Sequence, residues 1–507
     1  MKKVILLVIG VISMSLTYAQ DITDALRYSE DDVQGTARFR ALSGAFGALG
    51  GDMSAISINP AGSSVFNLSH ISLSLSNANN KNEVQYFNGF DDASNSNVDL
   101  NQIGAAFVFK NRNGDSDWRK FTLAIAYDKV QDYDDDWFAH GTNPNNSIDS
   151  YFLAYSNGLR LDEISAFEGE SYTDAYADIG SSFGFGNQQA FLGYESYILE
   201  PETDDDANTV YTSNISGGNY NHEYTYAATG YNGKFTINAS TQYGENLLLG
   251  VNLNTHFINY DRSTYLYESN NNAGSLIQEV GFENNLSTIG SGFSIQLGGI
   301  LKLTEQFRVG VSYNTPTWYT IEEETTQNIA TTRDEGGTST ITQSIDPQII
   351  NLFPEYKIQT PGKLTGSIAY IFGDSGLISF DYSTKNYGNA KFKPTSDSYF
   401  ASQNNDISNA LTNAATYRIG GEYRYERLSF RAGYRLEESP YKNKKTVGDL
   451  TGYSFGLGYS FGKMKLDLTF DRAERESANK FYSVGLTDTA TIDNKNSNVT
   501  MSVSFNL

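Results

Sequence analysis

The chain has 507 residues, with 59 acidic against 36 basic side chains and therefore a formal net charge of -23. This acidic balance argues against a nucleic-acid partner, because phosphate binding needs a basic surface. The 35 tyrosines and 30 phenylalanines suit a boundary between water and an apolar phase. The absence of cysteine excludes disulfides and thiolate metal sites. We expect no metal and no cofactor, because metal-ligand spacing is missing from the four histidines, His70, His140, His222 and His256.

The first residues, MKKVILLVIGVISMSLTYAQ, have the arrangement of a secretory signal peptide. Lys2 and Lys3 form a basic start, an apolar core runs to about Leu16, and small residues precede a plausible cut after Ala19. The pattern predicts a signal peptide over residues 1–19 and therefore export. A membrane anchor helix is the alternative, but the core is too short to span a bilayer comfortably. No later window approaches twenty apolar residues, so no transmembrane helix is expected in the mature chain.

Most of the remaining chain alternates with period two between large apolar residues and small or polar ones. In YSFGLGYSF, residues 453–461, every second side chain is aromatic or Leu, and the intervening residues are Gly or Ser. Most such segments are about ten residues long, the length that a tilted β-strand needs to cross the hydrocarbon layer. They start near residues 65, 99, 118, 223, 245, 289, 306, 357, 376, 414, 428, 450, 464 and 496.

This pattern predicts an all-β fold: a transmembrane antiparallel β-barrel of about 14 strands over residues 65–507. Some connections are short polar turns and others run for tens of residues, as in outer-membrane barrels. A soluble β-sandwich is the alternative, because it also shows alternation. The abundance of tyrosine on one face, and of Gly, Ser and Asn on the other, favours the barrel. In lipid the sheet must close, because an open edge would leave backbone groups without hydrogen-bond partners.

Residues 20–64 are glycine-rich, weakly apolar and too irregular for a strand, as in ALSGAFGALGGDMSAISINPAG. A barrel of about fourteen strands has a lumen that side chains alone cannot fill. We therefore predict that this segment forms a plug, or hatch, inside the barrel. Asn59 is biased towards an extended backbone by the following Pro60, whose own φ is fixed, and Gly62 allows a turn. A rigid corner before the first strand is expected, with an ordinary turn as the alternative.

Part of the predicted hatch resembles the N-terminal hatch of the FadL-type outer-membrane transporters of long-chain fatty acids and aromatic hydrocarbons. The residues that carry the resemblance are Gly44, Phe46, Asp52, Asn59, Pro60, Ala61 and Gly62. The order of signal peptide, hatch and fourteen strands is similar to that family over the whole mature chain. The hatch match is the more specific part, because the strands resemble the family only in number and pattern.

The resemblance implies passive uptake of hydrophobic compounds across the outer membrane of a Gram-negative cell. In the family, the ligand is captured at an extracellular groove, passes to a site inside the barrel and leaves through a lateral opening beside an inward kink of the third strand. The implied partners are hydrophobic small molecules, outer-membrane lipid and the barrel assembly machinery, and a monomer is expected. A porin-like or adhesin barrel is the alternative.

Three features bear on this resemblance. The predicted third strand, from Phe121 to about Tyr133, has no Gly or Pro to mark a kink, so the sequence does not locate the lateral opening. The long connection over residues 134–222 contains YFLAYSNGLRLDEISAF, whose helix-like spacing suits either the capture groove or a lid packed on its own apolar face. The chain ends on Leu507 with Phe505 two places earlier, and both keep the lipid-facing parity.

Strand parity over residues 417–437 places four arginines on the lumen face. They are Arg418, Arg424, Arg431 and Arg435. A guanidinium group suits the carboxylate of a fatty acid, so these residues are predicted to bind a ligand head group. The alternative is that they pair as scaffolding with Glu422, Glu437 and Asp467.

Catalysis has little support in the sequence, and no enzyme is expected. A lipase built on a barrel would need Ser, His and a third polar residue together near the lipid-facing wall. His256, the one histidine in a clear strand, faces the lumen by parity.

Overall fold

The structure, a computed structural model, describes residues 21–112, 116–336 and 340–507. The predicted signal peptide, residues 1–19, lies outside this described part. The chain forms a closed antiparallel barrel of fourteen strands, several of which are interrupted, and the first strand pairs with both the second and the last. The strands are β1 (His70–Tyr86), β2 (Gly89–Lys110), β3 (Trp118–Asp132 and Asp135–Asn143), β4 (Tyr220–Tyr243), β5 (Leu247–Ser269), β6 (Ile277–Lys302), β7 (Phe307–Asn314 and Trp318–Arg333), β8 (Ile341–Ile345, Asn351–Leu352, Tyr356–Gln359 and Lys363–Ile371), β9 (Gly376–Asn386 and Lys391–Lys393), β10 (Asn413–Tyr425), β11 (Leu428–Glu437), β12 (Leu450–Ser460), β13 (Met464–Lys480) and β14 (Thr489–Asn506).

The predicted number of strands is confirmed, but several strands are far longer than the expected length. β6 has 26 residues and β4 has 24. On β4 the outward side chains Phe235 and Ile237 are apolar, whereas Glu223 and Thr225 further along the same face are polar. Apolar alternation therefore marks only the part that crosses the membrane, and the strands continue beyond it. For this reason the predicted starts of β2, β6 and β8 fall inside the strands.

The two faces of the wall follow the predicted parity. On β10 and β11 the outward side chains Ile419, Tyr423, Phe430 and Tyr434 are exposed, as a lipid-facing surface requires. The intervening side chains point into the lumen and are buried or half-buried. None of the helices in the described ranges combines the length and the apolar content needed to cross a membrane.

Within the described residues, six α-helices accompany the barrel. They are α1 (Ile22–Arg27), α2 (Ala37–Ala41), α3 (Asp149–Ser156), α4 (Tyr172–Ser182), α5 (Phe185–Glu195) and α6 (Ser398–Ala410). The expected loop over residues 134–222 is shorter than predicted, because β3 continues to Asn143. The helix-like spacing in YFLAYSNGLRLDEISAF is confirmed by α3 and a following 3-10 turn, Leu161–Glu163. The loop packs against the wall, since its Phe152 and Leu192 are buried in one cluster with Phe282 of β6, and whether it serves as capture groove or as lid stays a prediction.

Residues 21–66, hereafter the N-terminal segment, lie inside the barrel and contact the inner face of strands all round the wall. The segment contains α1, α2 and two 3-10 helices, Ser54–Ser57 and Pro60–Val65. It lies so close to the wall that a Cβ atom on the facing glycines would overlap its backbone or side chains. These wall glycines are Gly250, Gly298, Gly310, Gly420 and Gly433. Inward Gly and Ser on alternate strand positions thus make room for the segment.

We predict that Gly250→Val displaces the N-terminal segment. A Cβ at this position would overlap the backbone of Pro60 and Ala61, and such overpacking costs about 1 to 3 kcal/mol. The thermal midpoint of the purified protein in detergent should fall, and the segment should become sensitive to limited proteolysis. Gly366→Val is the matched control, because nothing lies within 4 Å of a Cβ built there. Equal effects of both substitutions would contradict the close contact.

Candidate functional site

The Asn59-Pro60-Ala61-Gly62 motif forms the joint between the N-terminal segment and the wall. Asn59 is extended, with φ -140° and ψ 113°, and its side chain caps the 3-10 helix that begins at Pro60 by accepting a hydrogen bond from the Ala61 amide at 3.1 Å. The Asn59 amide group also donates to the Gly47 carbonyl at 2.8 Å and to the Gly299 carbonyl of β6 at 3.0 Å. Gly62 lies within the helix, and its carbonyl accepts from the Gly51 amide at 3.0 Å. At the place of the predicted corner, the Asn59 side chain caps the 3-10 helix that begins at Pro60.

The other predicted hatch residues lie inside the segment. Gly44 has φ +79°, a conformation that favours glycine. Phe46 is fully buried, with its ring 5.4 Å from that of Phe39. Asp52 accepts hydrogen bonds from the Thr36 hydroxyl at 2.7 Å and from the Ser54 amide at 3.0 Å. These three residues hold the segment in its shape, and their part in transport stays a prediction.

The four predicted arginines all form ion pairs with wall carboxylates. Arg431 contacts Glu422 and Asp467 at 2.6 Å each, and Arg424 also pairs with Glu422. Arg418 and Arg435 share Glu437 at the longer distances of 3.7 and 3.8 Å. These contacts match the alternative in which the arginines pair with wall carboxylates as scaffolding. Ligand binding by these residues stays a prediction, and Arg418 suits it best because its side chain lines the lumenal cavities.

Two cavities lie in the lumen beside the N-terminal segment. The larger has a volume of about 100 Å³, and the smaller one, towards β10 and β11, about 30 Å³. Asp31, Lys363, Lys385 and Arg418 line both cavities and so separate them. The larger cavity also has apolar surface, supplied by side chains from the segment and the wall, namely Val33, Phe39, Ile58 and Tyr319. It can therefore accept a molecule with both a polar and an apolar part.

Asp31 and Asp32 connect opposite sides of the lumen. The Asp31 carboxylate lies 2.8 Å from the Lys363 ammonium and 3.4 Å from that of Lys385. Enclosure in the lumen raises the pKa of Asp31, but the charges of these two lysines outweigh it and hold that pKa well below its usual range. Asp32 faces the other way, where its amide donates to the Val130 carbonyl of β3 at 3.0 Å. Enclosure in the lumen also raises the pKa of Asp32, to about 6.

The wall has a gap between β2 and β3. Within the described residues, the ladder between these strands runs from Lys110↔Lys120 to Gln102↔Asp128 and ends there. β2 continues towards Gly89 paired with β1 alone, and β3 continues paired with β4 alone. Next to the gap β3 is interrupted at residues 133–134, and the facing Gly230 of β4 has φ +119°. The absence of Gly and Pro in β3 therefore did not prevent an interruption of that strand, and the facing strand supplies a glycine there.

Polar side chains occupy the gap. Lys129 pairs with Asp99 across it and with Asp132 at 2.7 Å, and the Asn97 amide donates to Asp134. Asp99, Asp132 and Asp134 lie close enough together to hold a metal ion, but the Lys129 ammonium already pairs with two of them. At the outer end, the Thr142 amide of β3 donates to the Asn88 side chain at 2.8 Å and bounds the gap. No sequence pattern marks this region, since only the loss of pairing between β2 and β3 distinguishes it.

Two of the histidines, His222 and His256, lie in separate polar contacts. His222 is buried and lies 2.8 Å from Glu268 and 2.9 Å from the Tyr86 hydroxyl. The nearby Ser147 hydroxyl donates to Glu268 at 2.5 Å rather than to the histidine. His256 faces the lumen as predicted, where its ring contacts the Ser294 hydroxyl at 2.9 Å.

The arginine network generates a stability prediction. The Arg431 side chain is 4% exposed, and Arg431→Gln leaves the buried Glu422 and Asp467 carboxylates with one cation fewer. Breaking a buried ion pair costs about 3 to 5 kcal/mol, so the thermal midpoint in detergent should fall clearly. Arg424→Gln is the matched control. Arg424 also pairs with Glu422, but its side chain is 36% exposed, so the loss in free energy of unfolding should stay near or below about 1 kcal/mol. Equal midpoints for Arg431→Gln and the unchanged protein would contradict a scaffold role.

Comparisons with known protein structures identify the fold of this chain. No protein-family model matches the chain, and no curated protein matches it. The crystal structure of a Pseudomonas aeruginosa FadL homologue matches with a TM-score of 0.54 at 10% sequence identity, over 94% of this chain and 99% of that chain. The crystal structure of the P. putida toluene transporter TodX matches with a TM-score of 0.52 at 14% identity, also over 94% of this chain and 99% of that one. The chain therefore has the fold of the FadL-type outer-membrane proteins, a closed fourteen-stranded barrel preceded by an N-terminal segment with short helices.

Proposed function

We propose that this protein carries hydrophobic compounds passively across the outer membrane, by binding them in the lumen and releasing them sideways through the wall. The observation that carries this proposal is the gap between β2 and β3. A closed ladder would separate the lumen from lipid, whereas strands without pairing leave a route between them. The larger cavity reaches this gap, because Asp128, Lys129 and Val130 of β3 line it.

The surroundings of the gap support lateral release. Close to the end of the ladder, β2 presents Val98 and Leu100 on its outer face, and β3 presents Ile125, all of them exposed. An apolar molecule that leaves the gap would therefore meet apolar side chains and lipid rather than water. The fold supports the same proposal by analogy, since one protein of this fold is named a toluene transporter.

In this proposal the N-terminal segment is the hatch and the Asn59-Pro60-Ala61-Gly62 motif is its anchor. The segment fills the lumen, so steady ion flow is not expected, and passage requires local movement of the hatch. Residues 1–19 would be removed as a signal peptide on export, and the protein would work as a monomer after insertion by the barrel assembly machinery.

The experiment that tests the route is a cross-link across the gap. The chain has no cysteine, so the variant carrying Asn97→Cys and Asp134→Cys can be joined at one place by a short thiol-reactive bridge. We expect the bridge to stop uptake of dodecanol by cells that express the protein, because it blocks the only separation between the two strands that the described residues show. Uptake should return when the bridge is cleaved.

The matched control joins strands that are already paired. Asn221→Cys and Ser269→Cys face each other in the ladder between β4 and β5, and a bridge there should leave uptake unchanged. If the bridge at residues 97 and 134 also leaves uptake unchanged at equal surface abundance, the lateral route is wrong. A steady ionic conductance in planar bilayers would favour a porin-like barrel instead.

A second prediction concerns the hatch anchor. Replacing Asn59, Pro60 and Ala61 by glycine removes the Asn59 cap and its hydrogen bond to β6, while the ladders of the wall do not depend on these residues. The barrel should still assemble and keep its heat-dependent gel mobility, and dodecanol uptake should change. Unchanged uptake at equal abundance would exclude the motif from the mechanism.

A further inference from the structure

Three lysines lie side by side on the outward face of the wall, where the last residues of β9 pair with β8. They are Lys357 of β8 and Lys391 and Lys393 of β9, hereafter the lysine patch. Lys357 and Lys393 are direct cross-strand partners. The adjacent pair in the same ladder, Ile358 and Phe392, is buried on the inner face. Because successive side chains of a strand alternate between its faces, the three lysines point outward.

The lysine patch carries positive charge that the chain itself does not balance. Like charges directly opposite each other in a sheet repel, and Lys391 adds a third charge two residues from Lys393 on the same face. Within the described part of the chain, none of the three lysines forms an ion pair. On the outward face of β7, the first acidic residue is Glu322, which lies further out than Thr320, the partner of Lys357. A chain with a net charge of -23 thus presents a local basic site, which favours an anionic partner from outside the chain.

The lysine patch lies at the level of the lipid head groups. The outward face of β7 is apolar as far as the exposed Trp318 and becomes polar from Thr320. A tryptophan at such a change is typical of the interface between hydrocarbon and head groups. Trp318 is the partner of Gln359, and Lys357 lies two residues further out along β8, which is about 7 Å at the usual rise of a strand. The head-group layer is about 5 to 8 Å thick, so the flexible lysine side chains reach it.

Apolar side chains continue the outer wall below the lysine patch. Leu364 and Ile368 of β8 and Phe380 and Tyr382 of β9 are all exposed. A ligand at this place therefore meets ammonium groups at one level and apolar surface at the next. This combination suits a lipid with a negatively charged head and acyl chains. An acidic segment of a protein would first have to displace lipid in order to reach lysines at this level.

We propose that the lysine patch binds an anionic lipid of the outer leaflet through its phosphate groups, with the acyl chains of that lipid along β8 and β9. The phosphate oxygens accept hydrogen bonds from the lysine ammonium groups and remove the repulsion between them. Three lysines suit a phosphate monoester best, because it carries more than one negative charge at neutral pH. The site lies on the outside of the barrel, away from the gap between β2 and β3, so it does not depend on the proposed transport route.

Binding of two lipids with the same acyl chains tests the site. Native mass spectrometry of the purified protein in a non-ionic detergent measures the affinity for dioleoyl phosphatidic acid, a phosphate monoester, and for dioleoyl phosphatidylcholine, whose phosphate is balanced by its own choline cation. The variant with Lys357→Gln, Lys391→Gln and Lys393→Gln should bind phosphatidic acid about tenfold more weakly or worse. Its affinity for phosphatidylcholine should not change. Replacement of the same three lysines by arginine keeps the charge and should keep the binding of phosphatidic acid.

The matched control removes three lysines from the loop between β11 and β12. The Lys442 ammonium donates to two backbone carbonyls of α6 at 2.8 Å each, and Lys444 lies 3.8 Å from Asp449, so these two lysines have partners within the chain. The variant with Lys442→Gln, Lys444→Gln and Lys445→Gln should bind phosphatidic acid as the unchanged protein does. If it loses as much affinity as the variant of the lysine patch, the effect is a general change of net charge and the proposed site is wrong.

Three further outcomes would overturn the proposal. Equal affinity for phosphatidic acid in the glutamine variant of the lysine patch and in the unchanged protein would exclude the patch as a lipid site. Full displacement of the lipid by inorganic phosphate at the same concentration would indicate a site for free phosphate, because the acyl chains would then contribute nothing to binding. Full displacement by a soluble polyglutamate peptide at the same concentration would indicate a site for an acidic protein segment.

Discussion

Close contact between the N-terminal segment and the inner wall is the constraint on which the rest of this structure depends. A barrel of this width cannot fill its lumen with wall side chains, so the chain supplies a folded segment instead. The segment can lie against the strands only where these carry small residues, such as Gly250 against Pro60 and Gly298 against Asn59. Glycine is unfavourable inside a strand, so its repeated use on the inner face indicates that contact with the segment outweighs that cost.

The same contact explains why the lumen is charged although the proposed cargo is apolar. A plug that must hold its place without a continuous apolar core is attached by directional bonds. Arg40 makes two hydrogen bonds of 2.8 Å to Asp471 of β13, and Arg38 pairs with Glu422 of β10 at 2.8 Å. These pairs are enclosed, which strengthens them and makes the loss of one partner costly.

The gap between β2 and β3 follows from how a strand edge can be satisfied. Backbone groups freed from the ladder need other partners when water is scarce. Asp32 of the segment supplies partners on the inner side, and the Asn97, Asp99 and Lys129 side chains fill the space between the strands. On β3 the segment thus satisfies two of the freed backbone groups, the Val130 carbonyl and the Asp132 amide.

Much of the fold could be predicted from the sequence, because period-two alternation is a local property. The number of strands, the outward face of Ile419 and Phe430, and the inward face of Arg431 all follow from parity. The irregular glycine-rich stretch before the first strand likewise indicated a segment apart from the wall, and the first strand begins only at His70. The lengths of the strands were missed, since alternation of apolar residues stops where the membrane ends.

The sequence by itself determined the class of fold and the side of the wall on which each residue lies, because these depend on neighbours one or two positions away. Only the tertiary structure decided which side chains meet. Parity placed the arginines in the lumen but could not tell a ligand site from a scaffold, since their partners Glu422, Glu437 and Asp467 come from the register between strands. The gap and the contact of Asp31 with Lys363 and Lys385 arise between residues far apart in the chain. No local pattern encodes such distances, and so they appear only when the barrel closes around its own N-terminal segment.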